Sequence, residues 1–172
     1  MKVLVNNVRV AYIQKGRFMT RDDLAQIIKK QIPLTKAMGL YVKRCSVANG
    51  VEFSLPLKPN RNHKNTAFGG TLVAGQALAS WAWLMALLDK RGVAAEVVVQ
   101  RQVGEFLKPV DQNFIVKTDK VLSQDVERFI KTLKRRGKAR IVISARVLNK
   151  GKLAATYTGE YVALSNYEHN IK

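Results

Sequence analysis

One uncharged apolar run, Thr71 to Leu88, divides a chain whose remaining hydrophobic residues mostly recur at helical or strand spacing. Before it, Thr20 is placed to cap a helix with Asp22 and Asp23 in the first turn and Leu24, Ile27, Ile28 and Ile32 on one face. Pro33 ends that helix. Two strands follow, Gly39 to Ala48 and Val51 to Leu57, and Asn49-Gly50 between them is a strong hairpin signal. After the run, Lys90 and Arg91 sit in the last turn and Gly92 marks the stop. Strand patterns then cover Ala94 to Phe106, Phe114 to Leu122, Lys138 to Leu148 and Leu153 to Leu164, with Asn149-Lys150-Gly151-Lys152 as a hairpin turn. Between the second and third of these, Ser123 is expected to cap a helix with Val126, Phe129, Ile130 and Leu133 on one side, closed by Gly137. A strand is also expected from Val3 to Val10, ahead of a basic stretch. The order β-β, long helix, β-β-(helix)-β-β implies an α+β fold, a mainly antiparallel sheet with one buried helix.

Length changes the picture little: 172 residues suit one main domain, taken as residues 34–166, after an extension (1–33) carrying one helix and before a short tail (167–172). A long uncharged helix also raises the possibility of a membrane span. Its isolation in mid-chain, Gln76 and Ser80 within it, and the β-type pattern after it favour a helix enclosed by a globular domain instead. The polar beginning of the chain does not read as a signal peptide, and a single cysteine, Cys45, excludes an internal disulfide. A reducing, cytoplasmic setting is the expectation, with Cys45 as a structural thiol in a strand.

Charge is the compositional outlier, +18 with 47% hydrophobic residues. It attracts anions: nucleic acid, anionic lipid or a phosphorylated small molecule. The densest patch is Lys131, Lys134, Arg135, Arg136, Lys138 and Arg140, which either keeps the surface solvated or, through Arg135, Arg136 and Lys138, contacts phosphates. No zinc-ligand pattern and no aromatic RNA-binding strand accompanies it, which argues against nucleic acid as the partner. Two separated histidines, one cysteine and scattered acids form no metal-ligand cluster.

The candidate chemistry lies in Asn62-His63-Lys64-Asn65-Thr66-Ala67-Phe68-Gly69-Gly70, directly before the long helix. The first amides of a helix lack partners within it and sit at the positive end of its dipole. Glycines there admit an acyl or phosphoryl group close to the backbone, so Gly69 and Gly70 are candidates to bind an oxyanion; they would also serve a tight loop-to-helix turn. Asn65 could orient a water or hold a carbonyl, or could bond loop backbone. His63 could accept a proton, contact phosphates or face solvent. Asn62, Thr66 and Phe68 are further candidates for substrate contact. Gln76, polar in an apolar helix, needs a partner, which is a substrate, a water or a neighbouring strand. Trp81, Trp83 and Met85 fit a core or an apolar pocket.

The loop before the helix, Phe106-Leu-Lys-Pro-Val110, Gly137-Lys-Ala-Arg-Ile141 and Gly159-Glu-Tyr-Val-Ala-Leu164 together resemble the hotdog fold, a curved antiparallel sheet wrapped around a long central helix. The chain is most similar there to the thioesterase domain that some bacteria fuse behind an acetyltransferase domain. This resemblance implies hydrolysis of an acyl-coenzyme A or acyl-carrier thioester by a homodimer or dimer of dimers, with sites at the dimer interface. No cofactor is expected, coenzyme A being part of the substrate. Many relatives carry histidine before the paired glycines and an Asp or Glu about two turns into the helix. Here Phe68 and Gly75-Gln76-Ala77 stand at those places, which leaves a carboxylate mechanism unassigned. Alternatives are a non-catalytic acyl-coenzyme A binder or sensor, a nucleic-acid-associated protein suggested only by charge, and a dehydratase on the same fold.

Overall fold

The structure is a computed structural model that describes residues 19–165. The strand expected from Val3 to Val10, the basic stretch after it and the C-terminal tail with His169 lie outside the described residues. Eleven elements follow in order: α1 (Arg21–Gln31), α2 (Leu34–Ala37), β1 (Tyr41–Arg44), β2 (Glu52–Leu55), a 3-10 turn (Lys58–Asn60), α3 (Gly69–Lys90), β3 (Glu96–Phe106), β4 (Phe114–Thr118), α4 (Ser123–Arg136), β5 (Lys138–Asn149) and β6 (Lys152–Leu164).

Local chemistry explains most of the boundaries. Thr20 and Asp23 form a reciprocal capping box at the start of α1, the Asp23 carboxylate accepting from the Thr20 amide at 2.9 Å. Leu24 and Ile28 of that helix join the main core, so the helix assigned to an extension packs with the rest of the domain. At α4 the expected cap is displaced by one residue: Leu122 holds the N-cap position and Ser123 is the first helical residue. The Leu122 carbonyl already accepts from the Asp125 and Val126 amides at 3.0 and 3.1 Å, which closes the first turn without a side-chain cap. Gly137 ends α4 with φ of 68°, and Lys150 and Gly151 turn β5 into β6 with φ of 52° and 74°.

The Asn49-Gly50 hairpin takes a different form. Strands β1 and β2 do pair antiparallel, but residues 45–51 form a longer connection and both strands are shorter than the pattern suggested. Gly50, at φ of 81°, brings the backbone against β4, where a Cβ would lie 2.8 Å from Thr118 Oγ1. The Thr118 hydroxyl then accepts from the Val51 amide at 3.0 Å. The glycine serves contact with a neighbouring strand.

Six strands form one sheet in the order β1-β2-β4-β5-β6-β3, every neighbouring pair antiparallel. It wraps α3, which touches β2, β3, β4, β5 and β6, in the hotdog arrangement. Leu72, Ala79, Ala82, Trp83, Leu84 and Leu87 bury the sheet-facing side of the helix. The helix is not enclosed on all sides: Gly70, Val73, Ala74, Ala77, Trp81 and Met85 share one less buried face. Two-thirds (67%) of its span-length apolar window is buried inside the protein, so packing accounts for much of its hydrophobicity. β3 lies at one edge of the sheet and exposes Val98, Val99, Val103 and Phe106.

Candidate functional site

The loop entering α3 is built by short-range hydrogen bonds. Asn60, buried, donates through Nδ2 to the carbonyls of Met38 and Pro56 at 2.8 and 2.7 Å, and its own carbonyl accepts from Phe68 N at 2.8 Å. Asn62 organises the turn: its Oδ1 accepts from the Lys64 and Thr66 amides at 2.8 and 3.3 Å, and its Nδ2 donates to Thr66 Oγ1 at 3.1 Å. Asn62 and Thr66 are therefore occupied in holding the loop. Asn65 sits at φ of 58°, a left-handed position asparagine tolerates better than most residues. Its exposed side chain borders a depression of about 740 Å³ also lined by Lys58, Arg61 and Gln112. Neither cation meets an acidic side chain in that lining. His63 is exposed on the same turn.

At the start of α3, the Thr71 and Leu72 amides both donate to the Phe68 carbonyl, at 3.0 and 3.2 Å. The Gly69 and Gly70 amides have no hydrogen-bond partner among the described residues, and no side chain caps the helix. These are the two free donors that a bound oxyanion would need. Two aromatic rings flank them. A Cβ on Gly69 would lie 3.2 Å from Phe106 Cζ, and one on Gly70 would overlap the Phe68 ring. Phe68 and Phe106 are each 58% exposed, so apolar surface stands open beside the donors.

From this end, the open face of α3 leads towards an apolar cavity of about 300 Å³ against Ala74, Ala77 and Trp81. Trp83 faces the opposite way, its Nε1 donating to the Val47 carbonyl at 3.1 Å. Opposite that cavity face, the Tyr161 hydroxyl donates to the Ala77 carbonyl at 2.8 Å and meets the Tyr157 hydroxyl at 2.9 Å. With the Tyr161 proton given to Ala77, the single Tyr157 proton serves either Tyr161 Oη or Gln102 Oε1, which lies 3.2 Å away on β3. Burial raises the pKa of both phenols, so this chain stays protonated and uncharged. Asn60, Gln102, Tyr157 and Tyr161 were not singled out by the sequence, because each has a partner far along the chain: Met38 for Asn60, Tyr157 for Gln102, and Ala77 for Tyr161.

The structure separates other candidates from the loop. Gln76 is fully buried on the sheet-facing side of α3, its Nε2 donating to the Ala145 carbonyl at 3.3 Å while Oε1 has no partner. Gln76→Leu removes that orphan acceptor, and melting is expected to stay level or rise by a few degrees. A fall of several degrees would show instead that the bond to Ala145 outweighs the orphan acceptor. Arg135, Arg136 and Lys138 lie where α4 meets β5, and Lys138 pairs across β6 Leu164, which pairs in turn with Glu96 at the start of β3. That is the end of the sheet beside the C-terminus of α3, about 33 Å by helical rise from Gly69. At Cys45, burial first, then Asp89 and Asp23, push the thiol up to about 11, away from the thiolate that a nucleophile needs. Among the described residues, no group of three His, Cys, Asp or Glu could hold a metal.

The family model described as "Putative thioesterase (yiiD_Cterm)" matches residues 21–165. The chain belongs to that thioesterase family. Among solved structures, a protein of unknown function from Chlorobaculum tepidum is 26% identical, with 86% of this chain and 98% of that chain covered and a TM-score of 0.79. A protein described as a putative thioesterase from Shewanella oneidensis is 23% identical over 84% of this chain and 96% of its own, at a TM-score of 0.70. A Haemophilus influenzae thioesterase shares the fold at 16% identity, 90% and 96% coverage and a TM-score of 0.67. No curated protein matches the chain significantly.

Proposed function

We propose that the protein hydrolyses the thioester of an acyl-coenzyme A or acyl-carrier substrate. The carrying observation is the pair of unpartnered amides, Gly69 and Gly70, at the accessible start of a helix whose open face is uncharged and leads to a cavity. The thioester oxygen would accept from both amides as it gains charge, and the acyl chain would lie along Ala74 and Ala77. His63 or Asn65, on the turn just before the donors, would orient the attacking water. Lys58 and Arg61 stand on that side of the domain and suit the phosphates of the carrier better than Arg135, Arg136 and Lys138 do.

The outer edge of β3, which pairs with no strand among the described residues and leaves Val98, Val99, Val103 and Phe106 exposed, supports a homodimer formed by β3 pairing with its copy. A dimer of dimers is the larger assembly in this reading. The free Cys45 thiol fits a cytoplasmic protein. A second reading, an acyl-coenzyme A binder without turnover, is favoured by one observation: between Gly69 and Leu88 the helix offers no acid. Thiol release from a panel of acyl thioesters, by protein that sediments at twice the chain mass, tests the first reading. Tight binding of the same panel with no thiol released would replace it with the second.

A further inference from the structure

The apolar cavity beside α3 carries information about which acyl groups fit. It lies between the open face of that helix, the paired strands β3 and β6, and the corner where α1 gives way to α2. Ala74 and Ala77 keep the helix wall low, and Ile32 and Met38 form the opposite wall. Three lining side chains carry a hydrogen-bonding N or O atom, Thr35, Tyr161 and Trp81, and the two hydroxyls are already engaged. Thr35 Oγ1 donates to the Ile32 carbonyl at 2.7 Å, and the Tyr161 hydroxyl donates to the Ala77 carbonyl at 2.8 Å. Along the stretch between the donors and Trp81, a hydroxylated or charged chain would therefore be desolvated without compensation, whereas an unsubstituted hydrocarbon loses nothing.

Length follows from the helix. Gly70, Ala74, Ala77 and Trp81 recur on one side of α3 at successive turns. Helical rise places about 16 Å between Gly70 and Trp81, the reach of an extended chain of about a dozen carbons. Trp81 is the first aromatic side chain on that side after the donors, and it lines the cavity. Resting on the thioesterase reading above, we propose that Trp81 sets the upper limit of acyl length. The substrates are then unsubstituted acyl thioesters of medium length, up to about twelve carbons.

The test is a chain-length series of acyl-coenzyme A thioesters, from four to eighteen carbons, hydrolysed by the full chain and by Trp81→Ala and Ala74→Phe. The readout is the ratio of kcat/KM for hexadecanoyl to octanoyl substrate. Each methylene admitted to an apolar pocket is worth about fourfold, so Trp81→Ala is expected to raise that ratio by about tenfold or more. Ala74→Phe, which narrows the cavity nearer the donors, is expected to move the optimum to shorter chains. Thermal melts confirm that each variant is folded. A ratio within about twofold of wild type in both folded variants, or a wild-type optimum at sixteen to eighteen carbons, overturns the proposal. If no thioester in the series is hydrolysed, the function reading fails instead; calorimetric affinities for free fatty acids of the same lengths then decide the length limit by the same comparison.

Discussion

Gly69→Pro is expected to lower kcat/KM by about 10²–10³-fold while moving the melting temperature by only a few degrees. The argument rests on how little else the substitution changes. Gly69 is the first residue of α3, where the amide has no intrahelical acceptor, and proline is well tolerated at that position. Phe68 before it already has φ of −66° and ψ of 131°, the extended conformation that a residue preceding proline prefers. The variant thus deletes one of two free donors and leaves the helix intact. Gly69→Ala separates the donor from sterics: it keeps the N–H and adds a Cβ that Phe106, an exposed ring, can yield to. If Gly69→Pro and Gly69→Ala show equal rates, the Gly69 amide does not hold the developing oxyanion.

The helices and strands were readable because their patterns are local. α1 announces itself through Thr20, Asp23 and the spacing of Leu24, Ile27 and Ile28, and β5 through the alternation of Ile141, Ile143, Ala145 and Val147. The open face of α3 was not readable, for a physical reason. Protein core and a hydrocarbon ligand ask the same thing of a side chain, so an uncharged run looks alike whether it is enclosed or borders a cavity. Gln76 shows the complementary limit: its polarity signalled a need for a partner, but only the rotation of α3 against β5 shows that the partner is Ala145. Likewise Arg135, Arg136 and Lys138 are conspicuous as charge, while the register of β5 with β6 fixes them at the far end of the sheet. Gly50 misled because a positive φ serves a close approach as well as a hairpin.

The largest expected loss of stability from a single methyl group is at Gly159. Tyr157, Gly159 and Tyr161 occupy alternate positions of β6 and so share one face of the strand. The two hydroxyls meet at 2.9 Å directly above the glycine, where a Cβ would lie 2.6 Å from both Tyr157 Oη and Tyr161 Cε2. Neither ring can retreat easily, since both are buried in the main core and Tyr161 is tied to the Ala77 carbonyl. Gly159→Ala therefore forces overpacking and breaks a buried hydrogen bond, together about 3 kcal/mol. For a chain of this size that is a drop in melting temperature of about 6–12 °C. Alkaline pH bears on the same pair. Burial raises both phenol pKa values above their ordinary range, so the folded state keeps protons that the unfolded state releases. Their contribution is whole below a pH of about 10 and declines as pH rises beyond it. Wild-type melting should accordingly fall above that pH, and Tyr161→Phe should fall less steeply with pH from a lower start. A Gly159→Ala protein that melts within a degree or two of wild type would mean the rings have room to part. The link they make from Gln102 on β3 to Ala77 on α3 would then not be what sets the spacing of that strand from the helix.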